Sequence, residues 1–208
     1  MLIFLELYSV PCHTHDDDCR RCKMGNSYEK ILPEHADFIA KQPVFFVATA
    51  PLSPEGHVNV SPKGYDSFRV FSPTQVGYVD LTGSGNETSA HIQENERITF
   101  LFMAISGPPQ ILRLYGKGKV IGPSHNRWKE LSGSFPAYPG TRQIILATIH
   151  KVSTSCGYAV PYLAYEKDRD TLKLWAERKG SAGIARYQQR HNRRSLDNLP
   201  TGIENDES

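Results

Sequence analysis

The sequence predicts a mainly β fold, a closed or half-closed antiparallel barrel with a few peripheral helices. Six short segments between Val44 and Ile121 are rich in β-branched and aromatic residues and are bounded by Pro or Gly turns. Only one helical segment interrupts them, whereas alternating βαβ units would place a helix after every strand. Short strands at this spacing favour a barrel over a parallel sheet.

The 208-residue chain has the composition of an ordinary globular protein, 39% hydrophobic and 22% charged, which excludes wholesale disorder and fibrous repeats. Its 24 Lys and Arg and 22 Asp and Glu leave a net charge of +2. This is too little to gather nucleic acid or anionic lipid, so we expect neither as a partner. The apolar start, residues 1–10, is too short to cross a bilayer and lacks signal-peptide features, so we expect a cytoplasmic protein.

Residues 1–23 are expected to be a flexible, dispensable extension, followed by a possible alternative start at Met24. Three cysteines and two histidines fall in it: Cys12, His13, His15, Cys19 and Cys22. These residue types can bind zinc, but structural zinc sites usually take a second ligand pair from a separate loop, and none is obvious. We therefore expect no metal site, with zinc binding as the alternative.

The elements follow in order. Ser27 can cap a short helix, Pro33 can open a second helical turn and Pro43 ends it. Strands are predicted at 44–50, 57–61, 68–71, 76–81, 98–104, 111–121 and 143–153, and the Gly-containing turn after the first should form an antiparallel hairpin. Helices are predicted at 87–95 and 172–187, the latter packing through Leu174, Trp175, Ile184 and Tyr187. One domain would then span residues 24–199, followed by a disordered tail, 200–208.

A Gly-rich stretch, residues 82–89 (TGSGNETS), runs from a strand into a helix. Exposed amides at a helix start attract anions. Ser84 and Glu87 also have the spacing of a capping box, which explains the same residues without a ligand, and both interpretations stay open. A dinucleotide-binding fingerprint would need Gly at Thr88 and a βαβ context, so it is not expected.

Two basic residues could also contact an anion. Lys63 follows Ser61 and Pro62 at a strand end, where a hydroxyl and a cation could hold a phosphate or carboxylate, or form only a solvated surface turn. Arg113 lies in an apolar strand, on the face opposite Leu112 and Leu114. Cys156 has no assignable His base, so we expect a packed residue and not a nucleophile.

Three segments, FFVATAPLSPEGHVNVSPKG, LTGSGNETSAHIQENERITFLF and ILRLYGKGKVIGP, resemble in order and spacing the pyridoxamine 5'-phosphate oxidase-like, FMN-binding split-barrel family. The ending, from SCGYAVPYL to SLDNLP, is similar to a poorly characterised fungal and bacterial branch. The resemblance implies a six-stranded antiparallel split β-barrel, a homodimer, and FMN in a groove between the subunits. By position it implies FMN contacts from Asn59, Val60, Ser61, Lys63, Leu81, Thr82, Asn86, Thr88, Ser89 and Arg113.

Two differences from the oxidase argue against a shared substrate. Glu87 and Thr88 stand where the oxidase carries adjacent Arg and Lys, and the tail lacks its substrate-binding segment. The resemblance therefore implies a small FMN-dependent oxidoreductase that does not share the oxidase's substrate, and the sequence identifies no catalytic residue. The alternative is a non-catalytic, dimeric module that binds a flavin or another flat ligand. Lys63 is the predicted cation for the phosphate, with Arg113 and Arg69 as alternatives.

Overall fold

The computed structural model describes residues 25–203. The predicted N-terminal extension with its Cys and His residues, and residues 204–208, lie outside the described residues. Within residues 25–203, no helix combines the length and the apolar character that a bilayer-spanning segment needs.

The described chain contains eight strands and four helices. The strands are β1 (Asn26–Tyr28), β2 (Phe45–Thr49), β3 (Asn59–Lys63), β4 (Phe68–Ser72), β5 (Gln75–Leu81), β6 (Arg97–Met103), β7 (Ile111–Ile121) and β8 (Thr141–Ser155). The helices are α1 (Pro33–Ala40), α2 (Glu87–Asn95), α3 (Trp128–Ser132) and α4 (Thr171–His191). All seven predicted strands and the helices at α1, α2 and α4 are present, whereas β1 and α3 were not predicted.

The strands form one antiparallel sheet in the order β3-β2-β6-β7-β8-β5-β4, and β1 pairs with β8. This confirms the predicted fold class, mainly β with peripheral helices, although the sheet has eight strands instead of six. The predicted hairpin is β2–β3, with Phe45 opposite Lys63 and Thr49 opposite Asn59. The predicted helix cap at Ser27 is wrong, because Ser27 pairs with Ser153 of β8 as part of β1.

The sheet curls until strands from its two ends meet. The rings of Phe45 on β2 and Phe68 on β4 lie 4.9 Å apart, edge to face, although four strands separate them in the sheet. Phe68 also contacts Phe100 and Phe102 of β6. Alternation along β7 turns Leu112 and Leu114, both fully buried, into this core. Burial of each such side chain contributes about 1.5–3 kcal/mol to stability.

Helix α2 has the predicted bounds, but it lacks the capping box, which was one of the two interpretations of residues 82–89. Asn86 is its N-cap residue and makes no side-chain capping hydrogen bond, so Ser84 lies too early in the chain for that role. The helix ends at Glu96, whose φ of 62° is left-handed and stops the helical path. What fixes the start of α2 is tertiary packing, described below.

Helix α4 is broken at Gly180, whose φ of 64° and ψ of 171° are open to glycine and strained for other residues. The break turns the second half back against the first, so the rings of Trp175 and Tyr187 meet edge to face with centroids 5.0 Å apart. Along a straight helix the two residues would be about 18 Å apart. Of the predicted packing residues, Ile184 is buried and Leu174 is exposed.

Candidate functional site

A charged cluster, formed by Lys63, Asp80 and Arg142, joins β3, β5 and β8. Lys63 Nζ lies 3.1 Å from Asp80 Oδ1, and Arg142 donates to Oδ2 from Nη2 at 2.7 Å and from Nε at 3.2 Å. Burial alone would raise the pKa of Asp80, but the charges and hydrogen bonds of Arg142 and Lys63 outweigh it and lower that pKa to about 2. The aspartate is therefore ionised near neutral pH, and both cations have a partner.

The charged cluster also holds the Gly-rich loop, residues 82–86. Arg142 Nη1 donates to the carbonyl of Gly85 at 3.0 Å. Gln143 Nε2 donates to Asp80 Oδ2 at 3.0 Å and to Asn86 Oδ1 at 2.9 Å. Side chains of β5 and β8 thus position the backbone that leads into α2.

Strand β3 is tied to the first turn of α2 through Asn59. Its Nδ2 donates to Thr88 Oγ1 at 3.1 Å and to Thr49 Oγ1 at 3.3 Å, while its Oδ1 accepts from Ser61 Oγ at 3.0 Å. Thr49 Oγ1 in turn lies 3.0 Å from Nδ1 of the fully buried His91. The structure therefore brings together Asn59, Ser61 and Thr88, three of the residues for which the resemblance implies FMN contacts, and their side chains hydrogen-bond to one another within the chain.

The C-terminal segment, residues 192–203, covers the first turn of α2. Ser89 Oγ donates to the carbonyl of Thr201 at 2.7 Å, and Asn86 Nδ2 donates to the carbonyl of Asn192 at 3.4 Å. Asn192 Nδ2 donates back to the carbonyl of Gly83 at 3.0 Å. Thr201 is 1% exposed, so the first residues of the expected tail are packed. Backbone oxygens of the chain thus occupy the positions where an anion would meet Asn86 and Ser89.

The remaining predicted residues are dispersed. Thr82 Oγ1 donates to the carbonyl of Gly140 and accepts from Gln188 Nε2, both at 2.8 Å, and Leu81 packs against a hydrophobic cluster. Val60 points outward and is 60% exposed. Arg113 donates to Ser155 Oγ at 3.2 Å on β7, which is three strand spacings, about 14 Å, from β3. The structure does not bring Arg113 to the other predicted residues within this chain.

An aromatic cleft of about 470 Å³ opens beside Thr82, between the Gly-rich loop and α4. Thr171, Trp175 and Arg178 line it from one helix face, since positions spaced by four and three residues share a face. The lining is completed by Tyr65, Thr82, Gly83, Ser84, Arg169, Leu172 and Tyr187. Its volume is that of an ordinary small-molecule pocket.

Sequence reasoning missed this cleft because the residues that form it lie far apart in the chain. It assigned Trp175 and Tyr187 to packing and gave Tyr65 no role. The detectable signal was Gly180 in the middle of a helical pattern, since a glycine there often marks a break. That break makes Tyr187 a wall of the cleft together with Trp175.

Basic side chains lie beside the aromatic cleft, and one of them, Lys173, has its ammonium 3.9 Å from Asp170 Oδ1. Lys173 Nζ lies 4.4 Å from the ring centroid of Tyr65, and Lys179 Nζ lies 5.3 Å from that of Trp175. Neither Arg169 nor Arg178 forms an ion pair with any carboxylate in the described part of the chain. Burial and the charges of Asp168 and Asp170 raise the pKa of Tyr65, whose hydroxyl donates to the carbonyl of Arg169 at 2.6 Å. The cleft therefore suits a planar, negatively charged ligand.

Two comparisons with known sequences find the same protein family. The sequence profile of the pyridoxamine 5'-phosphate oxidase family matches residues 31–156. The pyridoxamine 5'-phosphate oxidase family protein ustO of Aspergillus flavus is 39% identical over 191 residues, 83% of this chain and 76% of the relative.

Solved structures of low sequence identity resemble this chain. HupZ of Group A Streptococcus has a TM-score of 0.46 and 20% identity, covering 59% of this chain and 91% of its own. An FAD-binding protein of Mesorhizobium loti has a TM-score of 0.41 and 13% identity, covering 62% of this chain and 96% of its own.

Proposed function

Because the chain belongs to the pyridoxamine 5'-phosphate oxidase family, we propose that it binds FMN in the aromatic cleft and acts as a small FMN-dependent oxidoreductase. The observation that carries the proposal is the cleft itself, where the rings of Tyr65, Trp175 and Tyr187 meet the Gly-rich loop. As the sequence comparison with the oxidase implied, the proposed substrate is not pyridoxamine phosphate.

The cleft fits the two chemical parts of FMN. Aromatic side chains provide faces and edges against which a flat isoalloxazine can pack, and arginines provide charge for a phosphate. Thr82 and Ser84 line the same space, and the Ser84 hydroxyl can hydrogen-bond to polar atoms of a ring. Of the contacts that the sequence predicted, Thr82 alone is retained in the proposal, because it lines the cleft.

Bound FMN would supply the hydride or electron transfer, and the chain would bind and orient the reactants. No carboxylate, imidazole or thiol is found among the described residues that line the cleft. Tyr65, with its raised pKa, is neutral near physiological pH and is no base, and its hydroxyl proton is already donated to the carbonyl of Arg169. In this proposal a proton needed by the reaction comes from substrate or solvent.

The proposed assembly is a homodimer. Strand β3 lies at the edge of the sheet formed by the described strands, next to β2, and its exposed positions, Val60 and Pro62, are apolar. Val58 is 70% and Val60 60% exposed, and Leu196 is 71% exposed beside Asp197, whose Oδ1 lies 2.6 Å from Nδ1 of His57. A second copy would cover this patch and protect the free strand edge. The cytoplasmic location remains a prediction.

The second candidate function is a non-catalytic module that holds a flavin or another flat ligand. The hydrogen bonds within the predicted FMN site favour it. The polar side chains that the sequence assigned to FMN, from Asn59 to Ser89, are hydrogen-bonded within the chain. A ligand could then be bound by the aromatic cleft without the contacts that the oxidase-like arrangement implies.

The experiment is spectroscopic. Purified full-length protein is examined for a flavin absorbance spectrum and titrated with FMN, with Trp175→Leu as the test variant and Tyr162→Leu, at a fully exposed ring, as the control. We expect FMN uptake that Trp175→Leu weakens and Tyr162→Leu leaves unchanged, and bleaching by a reduced nicotinamide. Uptake without reduction would favour the non-catalytic module. A colourless protein that takes up no FMN would overturn the proposed oxidoreductase and any module that holds FMN.

A further inference from the structure

We infer that the anionic group of the cleft ligand, a phosphate monoester on a planar aromatic ring system, is held by Arg169 and Arg178 and not by the first turn of α2. The inference rests on the proposed function in that both use the aromatic cleft. It differs from the family resemblance, which implied that Asn86, Thr88 and Ser89 face the phosphate.

The first turn of α2 is closed to a phosphate. Ser89 is fully buried and donates to the Thr201 carbonyl, and Thr88 accepts from Asn59. A dianion at this position would have to displace the carbonyl oxygens of the C-terminal segment, which are themselves acceptors and would repel it. The carboxylate of Glu87 also folds back against Gly85, so that a side chain at position 85 would overlap it. A second negative charge there would be unfavourable.

Lys63, the cation predicted from the sequence, is already paired. Its ammonium lies 3.1 Å from Asp80, and its side chain is 26% exposed. A phosphate at Lys63 would compete with a carboxylate that is buried, ionised and shared with Arg142. Removing Lys63 from Asp80 would leave less compensation for a buried charge, which opposes the exchange.

Arg169 and Arg178 have the opposite character: both line the cleft, both are exposed, and neither is ion-paired within residues 25–203. Arg178 Nε donates to the carbonyl of Leu174 at 3.3 Å, and its two terminal nitrogens form no hydrogen bond with any described residue. The Tyr65 hydroxyl anchors the backbone of Arg169 at 2.6 Å. Guanidinium groups bind phosphate in bidentate geometry, so these two can receive an anion without losing a partner.

The class of ligand follows from the rest of the lining. Trp175 and Tyr187 form an edge-to-face corner with centroids 5.0 Å apart, on the helix that carries Arg178. Arg178 lines the same cleft three residues after Trp175, on the same helix face, so a guanidinium is available to an anionic substituent of a ring in this corner. FMN satisfies the description, and so does any planar aromatic phosphate of similar width.

The test compares ligands that differ only in the phosphate. Full-length wild-type protein and an Arg169→Gln/Arg178→Gln variant are titrated with FMN, riboflavin, 1-naphthyl phosphate and 1-naphthol, following tryptophan fluorescence at constant ionic strength. Lys151→Gln/Lys167→Gln removes two exposed cations outside the cleft as the matched control, and Lys63→Gln tests the rival cation. Melting curves of all variants show whether each is folded.

We expect the double arginine variant to bind FMN and naphthyl phosphate about 10- to 100-fold more weakly, with riboflavin and naphthol changed by less than about twofold. Unchanged phosphate binding in that variant, or a phosphate-selective loss in Lys63→Gln instead, would overturn the inference. Arginine-dependent binding of naphthyl phosphate without any flavin binding would support the inference and overturn the proposed function. Binding of none of the four ligands would overturn both.

Discussion

Arg142 and Asp80 form a buried ion pair between neighbouring strands, with Nη2 2.7 Å from Oδ2 and side chains only 5% and 3% exposed. Two nitrogens of Arg142 donate to the same carboxylate oxygen, and Gln143 donates to it as well. Such a pair adds little stability relative to apolar residues of the same shape. Removing one partner, however, strongly destabilises the protein, because the other charge stays buried without compensation.

Asp80→Asn should therefore destabilise the protein strongly. It leaves Arg142 buried without a charged partner, and we expect the free energy of unfolding to fall by about 3–5 kcal/mol, measured by urea denaturation. Asp66→Asn, which breaks an exposed pair with Arg69, serves as the control and should cost less than about 1 kcal/mol. Equal losses in the two variants would contradict the buried role of Asp80.

Gly180→Ala should open the aromatic cleft. An alanine strains the backbone at φ 64° and ψ 171°, so we expect a loss of about 1–3 kcal/mol in urea denaturation and weaker FMN binding, as Tyr187 leaves Trp175. Gly122→Ala is the control, because a Cβ there meets no atom within 4 Å and φ is not positive. Wild-type stability and binding in the Gly180→Ala variant would show that the break in α4 is unimportant.

Stability should fall on mild acidification because of two histidines. Burial lowers the pKa of His91 and of His35, whose Nδ1 accepts from the amide of Leu32, so the folded state binds fewer protons than the unfolded state. Their contribution is complete above about pH 6.5, the usual His pKa, and is lost as the pH falls below it. Urea denaturation at pH 7.5 and pH 5 should show this loss, and His91→Gln should reduce it.

The proposed dimer predicts the size of the protein in solution. A dimer of this kind buries on the order of 2,000 Å² or more, so sedimentation at micromolar concentration should give a dimer. Val60→Lys, which places a charge on the exposed face of β3, should yield monomers. Glu55→Lys in the turn before β3 should not. A wild-type monomer would exclude the proposed assembly.

Residues 1–23 are predicted to be dispensable. A chain beginning at Met24 should melt within about a degree or two of the full chain, since a change of 1 kcal/mol would shift the midpoint by about 2–4 °C in a domain of this size. Differential scanning calorimetry on the two chains tests this. A large drop, or loss of a bound metal with the extension, would contradict it.

The sequence by itself determined the fold class and every described element except β1 and α3. Alternating apolar residues specified the strands, and the turn before β3 specified the first hairpin, because these signals act between neighbours in the chain. The family resemblance implied FMN contacts from Asn59 and Thr88, and that assignment stays a prediction. The prediction of a helix cap at Ser27 was wrong. Serine is a common cap residue, but here Ser27 pairs with β8 as part of a strand.

Only the tertiary structure decided what the candidate site contains. The partner of Lys63 is Asp80 because the sheet curls until β3 meets β5, and no local pattern encodes that approach. Trp175 and Tyr187 form one corner because the chain reverses at Gly180, and Ser89 is covered because residues 192–203 return to α2. Each contact joins distant parts of the chain, where sequence shows which groups are present but not which of them already have a partner.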